Sequence, residues 1–153
     1  MIEVLITILI ISVGLLGVAA MQAEALKSGN DGILRSKAVT AVADISDRIR
    51  ANISGLANYQ LALGPVPNPI PVLPDCAAAP CTDVAMAQYD MNQWLAALGD
   101  PAAGLPGAWA AIVQPVAGVD PTGLLTITVQ WTDRLQRGEA AATAEQYTTQ
   151  VQF

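Results

Sequence analysis

The chain contains no histidine. That removes the commonest general base and the commonest metal ligand. Aromatic residues are few, at 5% of the chain. Basic residues are also few. Seven Lys and Arg stand against 13 acids, the net charge is −6, and no basic cluster occurs. An acidic surface without such a patch argues against nucleic acid as a partner. A nucleophilic triad would lack its base. A glycosidase-like carboxylate pair stays open, yet the acids are scattered through loops and helix faces as solvated charges are. No glycine-rich phosphate cradle is present. These gaps point away from an enzyme and imply no cofactor.

Proline is absent before Pro65. Within that proline-free stretch, Val4 to Ala23 carry no formal charge over 20 residues. That is about the length needed to cross a bilayer core as a helix. The run is long for a signal-peptide core and has no basic segment before it, which favours an uncleaved anchor. The helical pattern continues past Gln22, with a weak point at Ser28 to Gly32. Val42, Ile45, Ile49, Ile53 and Leu56 then recur at three- and four-residue steps as one apolar stripe. Asp44 with Arg48, and Asp47 with Arg50, can pair on its exposed side. One long helix from about residue 2 to about 55 follows, roughly 80 Å long. Its first half is apolar all round and its second half is amphipathic.

Six prolines between Gly64 and Pro80 make an extended or looped connection. Cysteine is limited to Cys76 and Cys81. Two thiols without histidine fall short of a structural zinc site. A close pair behind a membrane-targeting segment favours a disulfide stapling this loop over free thiols. Thr82 caps a second helix over about 83–98, with Val84, Ala87, Met91, Trp94, Leu95 and Leu98 on one face and Gly99 and Pro101 ending it. Three strands follow. Trp109 to Val116 is apolar and partly alternating. After a turn at Gly118 to Gly123, Leu125, Ile127, Val129 and Trp131 alternate with polar residues. Beyond a polar loop over Arg134 to Thr143, Tyr147, Thr149, Val151 and Phe153 share a face. A sheet with one apolar face needs a cover, and the amphipathic half of the long helix supplies it. The spacing of Trp94, Trp109 and Trp131 favours core burial over a ligand-stacking surface.

The stretch "MIEVLITILIISVGLLGVAAMQAEAL" resembles the N-terminal helix of type IV pilins and pseudopilins. It is most similar to minor pilins of the PilV type, in which an E-V-L stretch leads to G-L-L-G. "DRIRAN" at Asp47 to Asn52, the cysteine pair before a helix ending in Trp94 to Leu98, "LPG" at Leu105 to Gly107 and "TVQWTDR" at Thr128 to Arg134 extend the resemblance.

The resemblance implies an α+β pilin fold. Residues 1–23 form the transmembrane and filament-core half of the long helix, and residues 24–153 the soluble head. It implies a structural subunit held in the bacterial inner membrane with its head in the periplasm, then packed into an extracellular filament. It also implies a leader removed by a prepilin peptidase and methylation of the new N-terminus. The family glutamate matches Glu3, so two mature residues and the leader are expected upstream. The partners implied are other pilin subunits, through their N-terminal helices, and, for a minor pilin, other minor pilins and a tip adhesin. An ionisable residue within a membrane is costly and usually has a partner. The resemblance implies that Glu3 pairs with a neighbour's N-terminal amine during assembly, against the alternative of a charge that marks the membrane edge. Gly14 and Gly17 are expected as a helix hinge or as tolerated membrane glycines. Rival readings are a minor pseudopilin of a type II secretion system, a major filament subunit, and a monomeric membrane-anchored binding domain.

Overall fold

The computed structural model describes residues 2–67, 75–115, 124–132 and 144–152. Prolines 69, 71 and 74, the turn over 118–123, the loop over 134–143 and Phe153 lie outside these residues. The chain divides into two compact units, Met1–Leu34 and Arg35–Phe153.

Helix α1 spans Ile2–Ala51 and runs unbroken through Ser28 to Gly32. Glu3 sits in its first turn and Arg48 and Arg50 in its last, each complementing the helix dipole. Arg48 and Arg50 also reach back to Asp44 and Asp47, at 3.0 and 2.8 Å. The helix stops four residues before the expected 55. The Asn52 amide is shared between the carbonyls of Arg48 and Ile49, which tightens the last turn. Residues Ile53–Asn58 continue as a 3-10 helix. The change of period ends the apolar stripe: Ile45 and Ile49 are fully buried, while Ile53 is 52% exposed. Gly55 is required here, because an added Cβ would lie 2.5 Å from Asn52 Nδ2 and 2.7 Å from the Asp83 carbonyl.

The sheet has four antiparallel strands, in the order β1 (Leu61–Pro65), β2 (Trp109–Val113), β3 (Leu125–Thr132) and β4 (Ala144–Val151). Three were expected. The additional strand, β1, opens the proline-rich stretch read as a connection. It is an edge strand with an irregular register between Leu61 and Gly64, and Pro65 sits at its end. An edge position is where a residue lacking an N–H is tolerated. Strand β3 alternates as its sequence requires, with Leu125, Ile127, Val129 and Trp131 buried.

Helix α2 spans Asp83–Gly99, and the Thr82 side chain accepts a hydrogen bond from the Ala85 amide at 3.3 Å. Its buried stripe is Ala87, Asp90, Trp94, Leu95 and Leu98. Val84, expected on that face, is exposed because it lies in the first turn, ahead of the buried stripe. Beyond the helix, Asp100 Oδ1 accepts the amides of Ala102 and Ala103. These two bonds hold its carboxyl below the usual carboxylate range. The core of the second unit combines Ala38, Val42, Ile45 and Ile49 of α1, the α2 stripe and the inner face of β2 and β3. The architecture is α+β.

Candidate assembly helix and the polar cluster of the head

The first unit contains an apolar surface that is exposed among the described residues. Residues 2–26 of α1 are exposed throughout, and its most apolar 18-residue window has a mean hydropathy of 2.7 with no part buried. Ile2, Leu5, Leu9, Leu15, Leu16 and Met21 each leave more than 60% of their surface open. The helix is long and apolar enough to cross a membrane. Its few hydroxyls are satisfied internally: Thr7 donates to the Glu3 carbonyl at 2.5 Å and Ser12 to the Leu9 carbonyl at 2.8 Å. Such back-bonding suits a surroundings without water.

Glu3 projects from this helix. Among the described residues, no cation lies within ion-pair distance of it. Gly14 and Gly17 lie in regular helix, and an added Cβ at either would meet nothing within 4 Å. The two cysteines belong to the other unit, where Cys76 and Cys81 form a disulfide just before α2. The sequence-derived site residues therefore do not converge on one place. Glu3, Gly14 and Gly17 share the exposed helix, and the cysteines close a loop of the head.

The second unit holds a polar cluster that residue spacing does not reveal. Tyr59, fully buried, donates to Asp90 Oδ2 at 2.5 Å. Arg48 Nη1 approaches Asp90 Oδ1 at 3.4 Å. Asn52 Nδ2 reaches the Tyr59 hydroxyl at 3.2 Å and the Asp83 carbonyl at 2.9 Å. The cluster joins the end of α1, the 3-10 turn and α2. Two further bonds brace it: Trp94 Nε1 donates to the Ala41 carbonyl at 2.8 Å, and Gln114 Nε2 to the carbonyls of Leu56 and Tyr59. Burial, reinforced by the bond to Asp90, pushes the Tyr59 hydroxyl well above the ordinary tyrosine range. Burial opposes the Arg48 charge, but Asp44 and Asp90 outweigh it and raise its pKa. Tyr59, Asn52 and Asp90 are buried, and the cluster works as a polar lock. The available signal was Asp90 itself, which stands between Ala87 and Trp94 at core spacing.

Among the described residues, no group of three or more His, Cys, Asp or Glu could hold a metal ion. Of the three tryptophans, Trp94 and Trp131 are buried, while Trp109 is 42% exposed. Trp109 departs from the expected core burial because it begins β2 on the sheet face opposite Trp131.

No curated protein matches the chain, and no solved structure does. Residues 20–92 match the family model described as Tt1218-like, type IV pilin Tt1218. The match begins inside the apolar part of α1 and ends in α2, just under half of the chain. A long N-terminal helix with a four-stranded antiparallel sheet is a type IV pilin-like fold, and with the matched segment it supports the type IV pilin family.

Proposed function

We propose that this chain is a structural subunit of a type IV pilus, acting as a PilV-like minor pilin in assembly priming and in a tip complex with other minor pilins and an adhesin. One observation carries the structural reading: a helix of a pilin-like chain exposes an apolar surface over residues 2–26 that the described residues leave uncovered. Water does not tolerate so large a patch, so lipid or other helices must cover it. The inner membrane covers it before assembly, with the head in the periplasm. Neighbouring pilin helices cover it in the filament, where burial returns about 25 cal/mol per Å² of apolar surface relative to water.

Glu3 sets the register in this reading. Its carboxylate meets the N-terminal amine of an adjacent subunit, and a misplaced subunit would leave both charges unpaired in an apolar medium. Gly14 and Gly17 let the helix bend as it enters the bundle. The Cys76–Cys81 disulfide belongs to the oxidising compartment in which the head resides.

The test is Glu3→Ala, with subunit measured in the membrane fraction and in sheared filaments. Membrane insertion is expected to stay intact while the filament fraction falls by about tenfold or more, the equivalent of ~1.4 kcal/mol in docking. Unchanged incorporation would refute the assembly role and favour a monomeric anchored domain.

A further inference from the structure

The exposed Trp109 belongs to a built pocket. One row crosses all four strands: Pro65 pairs with Trp109, Trp109 with Gln130, and Gln130 with Gln146. Directly opposed residues of antiparallel strands point to the same face, so these side chains stand side by side. Gln130 Nε2 donates to Gln146 Oε1 at 3.2 Å, which fixes both amides beside the indole. One turn frames the row. Thr132 donates through both its amide and its hydroxyl to the Pro106 carbonyl, at 2.9 and 3.1 Å. Gly107 adopts φ +58°, and a Cβ there would strike Thr132 Oγ1 at 2.5 Å. Beside the row lies a cavity of about 250 Å³ lined by Gly107, Trp109, Gln130, Trp131, Thr132 and Ala144, with Gln146 next to it through its bond to Gln130.

A single exposed aromatic residue means little by itself. Three further properties give this one meaning. The described lining residues are neutral. The Trp109 indole N–H has no hydrogen-bond acceptor among the described residues, although a buried or paired indole normally finds one. After their mutual bond, Gln130 and Gln146 still offer both donors and acceptors. A flat apolar surface beside neutral amides matches the two faces of a pyranose, one of C–H groups and one of vicinal hydroxyls. The volume suits one sugar ring, below the ~300 Å³ at which drug-sized sites begin.

We infer that Trp109, Gln130 and Gln146 form a binding site for a neutral carbohydrate, with one pyranose ring stacked on Trp109 and its hydroxyls held by the two glutamines. This goes beyond the pilin reading and does not depend on it. The "LPG" and "TVQW" segments, distant in sequence, are brought together to build it.

The test uses the full chain in a detergent without a sugar headgroup. Cellobiose, lactose and chitobiose are titrated, with ligand-observed saturation-transfer NMR and tryptophan emission as readouts. Trp109 and Trp131 both line the cavity, so the emission shift is assigned to Trp109 by its loss in Trp109→Ala. Saturable binding of at least one disaccharide near about 1 mM is expected. Trp109→Ala should weaken it at least about tenfold, as loss of an aromatic anchor does. Gln146→Ala, on an exposed edge-strand residue, should weaken it by about threefold to tenfold. Absence of saturable binding for all three sugars would overturn the inference, as would equal binding by Trp109→Ala. Should Trp109→Ala not fold, unchanged affinity in Gln146→Ala overturns it.

Discussion

Helix α1 carries isoleucines at both ends of its length, and they meet opposite conditions. Ile8, Ile10 and Ile11 leave more than half their surface open, whereas Ile45 and Ile49 leave none. Helix propensity does not distinguish them. The difference lies in what surrounds each stripe. Near the start, apolar residues occupy every side of the helix, so no single sheet could cover them. Toward the end, apolar residues keep to one side, with Asp44, Asp47 and Arg50 on the other. An all-round apolar helix must find its cover in lipid or in other chains. A one-sided helix finds it in its own head.

Breaking the covered end should have the largest effect. Ile45→Ala removes a fully buried side chain and should cost about 2–5 kcal/mol. Hydrogen exchange at the β3 amides of Ile127 and Val129 would read that loss in the detergent-solubilised chain. A cost below about 1 kcal/mol would mean that α1 does not cover the sheet as described.

The polar lock should come next. Tyr59→Phe leaves Asp90 without its 2.5 Å partner and should cost about 1–3 kcal/mol near neutral pH. The pH dependence has a definite sign. The Tyr59 pKa is raised by folding, so its contribution is whole below the ordinary tyrosine pKa of about 10 and declines as pH rises above it. The native chain should lose stability along that alkaline limb, and the Phe variant should lack this component. Parallel limbs would show that Tyr59 is not held protonated by the fold.

The smallest effect on the head should come from the uncovered end. Leu9→Ala should leave the β3 amides within about 0.5 kcal/mol of native protection, as surface substitutions do. A larger change would show that the apolar helix supports the head after all.

Much of this contrast was legible in the sequence, because it rests on period. The three- and four-residue steps from Val42 to Ile49 and the alternation from Leu125 to Trp131 leave few alternatives. Strand β1 escaped because it is short and carries Gly64 and Pro65, which read as punctuation. The end of α1 escaped because Ile53 and Leu56 keep helical spacing while the backbone has already tightened to 3-10. Asp90 escaped because its partners come from residues 48 and 59, and spacing does not show which distant groups will meet a carboxylate. Trp109 escaped because a strand's first residue can face either way. Glu3 was the easiest residue to single out, yet among the described residues no side chain of the same molecule pairs with it.

The glycines carry the same division into mutational drift. Gly55 and Gly107 are closed to replacement, since even a methyl group would run into Asn52 or Thr132. Gly14, Gly17, Gly29 and Gly32 have open space beside them, and alanine there would favour the isolated helix by about 1 kcal/mol each. Random mutation should therefore purge changes at the first pair through misfolding of the single chain. In the proposed filament subunit, selection that holds glycine at Gly14 and Gly17 would act through bending or through a neighbour's close approach. A scan of substitutions, scored once for folding and once for filament yield, would separate the glycines that serve the molecule from those that serve the polymer.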